Sequence, residues 1–259
     1  MEKWIEKIKD ILKEAHRLIL DSMKESLTIE TKSNRRDLVT QVDKNVQKFI
    51  TNQLETLFVN HKVVGEESYT GSIDLNGHVW IVDPIDGTAN FVKQQKDYGI
   101  LLSYYNDGIG QLGFILDGNT GDIYVAIKDQ GVFVNDKRID IKQNLSLKDS
   151  LISVSVEGLF IRNYGQKISS KAFGIRYKGA AVQDGLMVIN GQTGAFLALQ
   201  SGPWDFAAHI VFAKELGLKC LKLDGSNRQA NDHGFCVFGQ EEVCRELLEI
   251  VKGIDNENC

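Results

Sequence analysis

The chain has 259 residues, 42% hydrophobic and 25% charged, with a formal net charge of -5, 24 Gly and only 2 Pro. That composition belongs to a globular protein long enough to bury a sizeable core in one large domain or two closely packed ones, and it excludes disordered, fibrous and proline-rich chains. The acidic balance argues against a nucleic-acid-binding surface over much of the chain, while leaving room for a local basic pocket.

Taken in chain order, Trp4, Ile5, Ile8, Ile11, Leu12, Ala15, Leu18, Ile19 and Met23 form a helical stripe, so the chain opens with an amphipathic helix over residues 3–23. Its first residues carry acids and no apolar h-region, and no apolar run approaches a membrane span, so the expectation is a cytoplasmic protein without a membrane segment. A polar segment at 31–37 precedes a second helical stripe, Val42, Val46, Phe49, Ile50, Leu54 and Leu57. Strand-like runs follow at 78–82, 100–104, 112–116, 123–127 and 131–134, separated by Gly and Asp-Gly turns, which predicts an antiparallel meander. Beyond a run at 151–156, helical patterns at 180–190, 204–217 and 240–252 alternate with short apolar runs at 195–199, 219–223 and 235–238. The order predicts a layered α+β fold with two sheets. Residues 1–145 would supply N-terminal helices and a mainly antiparallel sheet, and residues 146–259 an alternating α/β half. Cys220, Cys236, Cys244 and Cys259 form no CxxC pair or zinc spacing and read as reduced thiols. The five histidines are scattered, with no i,i+4 pair.

Four segments carry possible chemistry. In Trp80-Ile-Val-Asp-Pro-Ile-Asp-Gly-Thr-Ala-Asn-Phe91 an apolar strand runs into two carboxylates, Asp83 and Asp86, followed by Gly87-Thr88 at a helix start. Carboxylates at a strand end can converge on a hard cation such as Mg²⁺. Backbone N–H groups at a helix start can hold a phosphate. Val63-Val-Gly-Glu-Glu-Ser68 again places acids after an apolar pair, Trp204-Asp205 opens a helix, and Asp37-Leu-Val-Thr-Gln-Val-Asp43 brings further acids. Each segment alone is a weak signal and reads more simply as a polar turn, a solvated charge pair or a helix cap.

Together and in this order, Asp37-Leu-Val-Thr-x-x-Asp43, Gly65-Glu-Glu-Ser68, Asp83-Pro-Ile-Asp-Gly-Thr-x-Asn-Phe91 and Trp204-Asp205 resemble the inositol monophosphatase family of Mg²⁺-dependent, lithium-sensitive phosphatases, in its bacterial type. The resemblance covers essentially the whole chain. It implies an αβαβα sugar phosphatase fold and a homodimer, with a small phosphorylated molecule as partner and neither nucleic acid nor membrane. It further implies two or three Mg²⁺ per site, about 4 Å apart where two share a bridging ligand. The metal ligands would be Glu66, Asp83, the carbonyl of Ile85, Asp86 and Asp205. Glu66 would help activate the attacking water, and Thr88, bonded to Asp43, would orient it. Gly87 and Thr88 would hold the phosphate, and Ala181, in Gly179-Ala-Ala181, would meet substrate hydroxyls together with Asp86 and Asp205. Lys32 matches a basic residue near the metals, and Glu67 would stand behind the ligands.

The sequence departs from the pattern at Ala198, where inositol-selective members of the family carry a Glu. Lys32, Arg35 and Arg36 lie close together and read either as a solvated basic loop or as a clamp for a second phosphate. The leading expectation is therefore hydrolysis of inositol 1-phosphate and related small monoesters. The alternatives are NADP(H) 2′-phosphate, fructose 1,6-bisphosphate or 3′-phosphoadenosine 5′-phosphate on the same site, and, from another class, a non-catalytic metal- or polyphosphate-binding protein.

Overall fold

The opening stripe folds as helix α1 (Glu2–Ser22) and the second as α2 (Gln41–Leu57) in a computed structural model that describes residues 2–24, 29–31, 38–141, 146–160 and 163–257. Between the helices, short strands β1 (Ile29–Thr31) and β2 (Leu38–Thr40) pair antiparallel. The main sheet then forms from β3 (Lys62–Gly65), β4 (His78–Asp86), β5 (Gly99–Asn106), β6 (Ile109–Asp117), β7 (Ile123–Ile127), β8 (Gly131–Val134) and β9 (Lys137–Ile139) in sequence order. All neighbours are antiparallel except β3 and β4, and helix α3 (Thr88–Gln94) follows β4. The remaining elements are β10 (Leu151–Val154), α4 (Val156–Phe160), α5 (Tyr164–Lys171), β11 (Gly174–Arg176), α6 (Ala181–Ile189), β12 (Ala195–Ala198), α7 (Pro203–Leu216), β13 (Lys219–Leu221), β14 (Cys236–Gly239) and α8 (Glu241–Glu257). Their strands make a second, mixed sheet in the order β11-β10-β12-β14-β13.

Side-chain alternation stacks these elements in five layers, helix–sheet–helix–sheet–helix. On β4, Trp80 and Val82 pack with Ile8 and Leu12 of α1 and Ile50 and Leu54 of α2, while Val79 and Ile81 pack on the opposite face with Phe206 and Phe212 of α7. On β12, Phe196 and Ala198 face α6 and α7, while Ala195 and Leu197 face Ile168 of α5 and Leu247 of α8. Helix α7 lies between the two sheets, which explains its run of buried residues from Phe206 to Ala213. Cys220, Cys236 and Cys244 are free, buried thiols. Among the described residues no helix is long and apolar enough to cross a membrane.

The strand-like runs and long helices fall where periodicity predicts them. The elements that periodicity misses are short or polar: β9 is Lys-Arg-Ile, β11 is Gly-Ile-Arg, and α5 offers only Tyr164 and Ile168 to the core. Pairing and docking hold such segments, not intrinsic propensity.

Candidate active site

A local irregularity in β4 builds the centre of the site. Residues three apart on a regular strand point to opposite faces. Here Asp83 pairs with Leu101 and Asp86 with Gly99, so Pro84 and Ile85 together stand opposite Ile100 alone. This one-residue bulge brings the two carboxylates to the same side, and it accommodates a proline that could not donate to a regular ladder. Ile85, between them, packs its side chain into the α1/α2 layer.

Two further elements converge there. Pro203 occupies the first turn of α7 and Asp205 the third position, where Oδ2 of Asp205 accepts from Gly202 N at 2.7 Å. Carboxylate oxygens of Asp83, Asp86 and Asp205 all lie within 4.8 Å of one another. Strand β3 runs beside β4 with Gly65 opposite Val82, and a 3₁₀ turn (Glu66–Ser68) begins at its end. Gln47 of α2 holds that turn, its Oε1 accepting from Glu67 N at 2.8 Å.

The electrostatics are those of crowded acids in a dry place. Burial, followed by the negative charges of Glu66, Asp86, Asp205 and Asp43, holds the Asp83 carboxyl well above the usual carboxylate range. Burial also pushes Asp86 up to about 7, against N–H donation from Val182 and Ala181 and with the charge of Glu66 adding to the rise. A cluster of this kind is costly as bare anions and fits a hard divalent cation, whose charge restores the ionised form. With oxygen ligands and neither Cys nor His in the triad, the donor set suits Mg²⁺ better than Zn²⁺.

Thr88 opens α3 immediately beside the acids. Its hydroxyl lies 2.9 Å from Oδ1 of Asp43, which is buried in the first turn of α2, and 3.0 Å from the Ile85 carbonyl. Gly87 has φ of +86° and a Cβ there would stand 2.7 Å from that of Ala180, so both backbone conformation and close approach require glycine. Across this contact Ala180 is the N-cap of α6 and Ala181 its first residue. A cavity of about 420 Å³ opens over the site, with Asp86, Asp205, Ala181, Ala198, Lys93 and Tyr177 among its lining residues.

Thus Asp43, Glu66, Asp83, Ile85, Asp86, Gly87, Thr88, Ala181 and Asp205 come from six separate elements or turns to one region. Lys32, Arg35 and Arg36 lie outside the described residues. Sequence reasoning passed over Gln47 and also Asp184, a buried acid that follows Gln183 in the mostly apolar α6; an acid in a mostly apolar helix was the available signal. It also passed over His209 and Arg228. His209 donates from Nδ1 to the Asp205 carbonyl at 2.7 Å, and burial lowers its pKa to about 4, so the ring is neutral. Arg228 donates to the carbonyls of Gly202, Asp232, Gly234 and Phe235, tying the segment before α7 to the loop before β14.

The model of the inositol monophosphatase family matches residues 1–253. An inositol-1-monophosphatase of Bacillus subtilis is 33% identical over 254 residues, covering 96% of this chain and 93% of its own length. A solved IMPase/NADP phosphatase complexed with Mg²⁺ and phosphate superposes with a TM-score of 0.90 at 34% identity, over 96% of this chain and 95% of its own. An IMPase/NADP phosphatase structure with NADP and Ca²⁺ gives the same TM-score, identity and coverage. The chain belongs to the inositol monophosphatase family and is a phosphatase of that metal-dependent hydrolase class.

Proposed function

We propose that this protein hydrolyses inositol 1-phosphate and related small phosphate monoesters with Mg²⁺ as its cation. The observation that carries the proposal is the placing of the Asp83–Asp86–Asp205 triad beside the Thr88–Asp43 pair. Pure cation binding needs the triad but has no use for an oriented hydroxyl. Asp83, Asp86, Asp205, Glu66 and the Ile85 carbonyl would hold two or three cations. When bound, the cations supply Lewis-acid stabilisation of charge on the phosphate and leaving oxygen.

The chain's own groups do the rest. The single hydroxyl proton of Thr88 goes to Asp43 or to the Ile85 carbonyl, leaving its lone pairs to accept from water and aim it at phosphorus. Glu66 receives the proton of the attacking water. The N–H groups of Gly87 and Thr88 hold the phosphate oxygens, and Ala181, Asp86 and Asp205 meet the alcohol part. Water attacks in line, and no covalent intermediate is required.

A second substrate, the 2′-phosphate of NADP, is favoured by Ala198. A short side chain lines the cavity where an inositol-selective Glu would stand, leaving room for a larger alcohol. The similarity to an IMPase/NADP phosphatase supports the same reading. The test is phosphate release from a panel containing inositol 1-phosphate, NADP and fructose 1,6-bisphosphate, with Mg²⁺, with EDTA, and with added Li⁺. Release that requires Mg²⁺ and falls with Li⁺ is expected. No Mg²⁺-dependent release from any ester would defeat the proposal.

A further inference from the structure

The mechanism leaves one buried carboxylate of the cavity wall unused. Asp184 of α6 is 1% exposed and lines the cavity alongside Gly179, Ala180 and Ala181. Five consecutive backbone N–H groups here are divided between two carboxylates. Lys178 N donates to Oδ1 of Asp184 at 3.1 Å and Gly179 N to Oδ2 at 3.1 Å, with Ala180 N as a third donor. The next two, Ala181 N and Val182 N, donate to Asp86. Ser153 of β10 fixes the Asp184 carboxylate from behind, its hydroxyl donating to Oδ1 at 2.7 Å. The carbonyl side of the segment is pinned as well. Asn90 Nδ2 donates to Lys178 O at 2.9 Å and to Asp97 O at 2.8 Å. Gly179, at φ +83°, makes the turn that aims these N–H groups inward.

We propose that Asp184 is a positioning residue that holds the 178–181 segment as the wall against which the alcohol part of the substrate seats; this rests on the phosphatase reading above. A carboxylate is acceptor-only and can take all three N–H groups at once. An amide in its place presents a donor to a donor, so one or two charge-assisted bonds are lost and the segment turns away from the cavity. The wall meets the alcohol part alike in the ground and transition states, so its displacement weakens substrate binding and leaves the chemical step in place. The phosphate end keeps its hold, because Gly87 and Thr88 lie on the β4–α3 turn and Val182 N, outside the displaced segment, still donates to Asp86.

The experiment compares wild type, Asp184→Asn and Ser153→Ala in full-length, Mg²⁺-loaded enzyme. It measures kcat and KM for inositol 1-phosphate together with inhibition by inorganic phosphate. For Asp184→Asn, KM rises about tenfold, kcat stays within about threefold, and the phosphate inhibition constant does not move. Ser153→Ala shifts KM the same way by about threefold. An unchanged KM in Asp184→Asn overturns the proposal, as does a KM that rises in parallel with the phosphate inhibition constant. Should Asp184→Asn not fold, an unchanged KM in Ser153→Ala overturns it. An inactive wild type defeats the phosphatase reading itself, whereas an active wild type with indistinguishable variants defeats this inference alone.

Discussion

Replacing Asp86 by Asn separates activity from stability in opposite directions. In the metal-free protein, burial raises the carboxyl from its ordinary 3.8 to about 7. Between those pH values the unfolded chain has released a proton that the folded chain still holds, so stability falls as pH rises. The loss accumulates from about pH 4 and is complete above about pH 7. At about 1.4 kcal/mol for each tenfold change in proton affinity, the ionised carboxylate disfavours folding by about 4 kcal/mol at pH 8. Asn removes that penalty, but its amide replaces charge-assisted acceptance from Ala181 N and Val182 N by a neutral carbonyl, returning about 1 kcal/mol. The net expectation at pH 8 in EDTA is a gain of about 3 kcal/mol, or about 6–12 °C in Tm. At pH 4 the gain disappears. In Mg²⁺ the order reverses, because wild type gains from cation binding while Asp86→Asn loses a ligand and most of its phosphatase activity. Urea unfolding at pH 4, 6 and 8, with and without Mg²⁺, measures all of this. The reasoning is refuted if Asp86→Asn is less stable than wild type at pH 8 in EDTA, if the difference is independent of pH, or if the variant stays fully active.

Thr88→Val keeps the shape and removes the hydroxyl, so kcat falls about 10²–10³-fold while Thr88→Ser stays within about tenfold of wild type; steady-state phosphate release checks this, and a Val variant within about threefold of wild type contradicts the water-orienting role. Ala198→Glu raises the ratio of kcat/KM for inositol 1-phosphate over NADP at least about tenfold, and an unchanged ratio removes Ala198 from the determinants of specificity. Arg228→Met strips the donor from four carbonyls; the residue is 2% exposed and its guanidinium carbon lies 5.2 Å from the centre of the Phe206 ring. It lowers stability by at least about 3 kcal/mol in urea unfolding, and a loss below about 1 kcal/mol contradicts the clamp.

The sequence made the acids legible because their types and spacings are local: two carboxylates at a strand end, Gly-Thr at a helix start, an Asp in the first turn of a helix. It also placed the two prolines beside proposed ligands, Pro84 between Asp83 and Asp86 and Pro203 two residues before Asp205. Periodicity of 2 and 3.6 located the long strands and helices, since those patterns report which face is buried. It could not locate β9, β11 or α5, whose partners are remote in sequence.

What the tertiary structure alone decided is which groups meet. Spacing by itself puts Asp83 and Asp86 on opposite faces of β4, and only pairing with β5 introduces the extra residue that turns them to one side. Asp43 and Thr88 are 45 residues apart, yet form a single hydrogen-bonded unit because α2 packs on β4, the strand that leads into α3. Asp184 appears in the sequence as a lone acid in a mostly apolar helix, and its hold on the 178–180 backbone exists only once α6 is docked between the sheets. Residue identity fixes what a group can donate, accept or ligate. Burial, register and the company of other charges, which are properties of the folded chain, set its pKa and its partner.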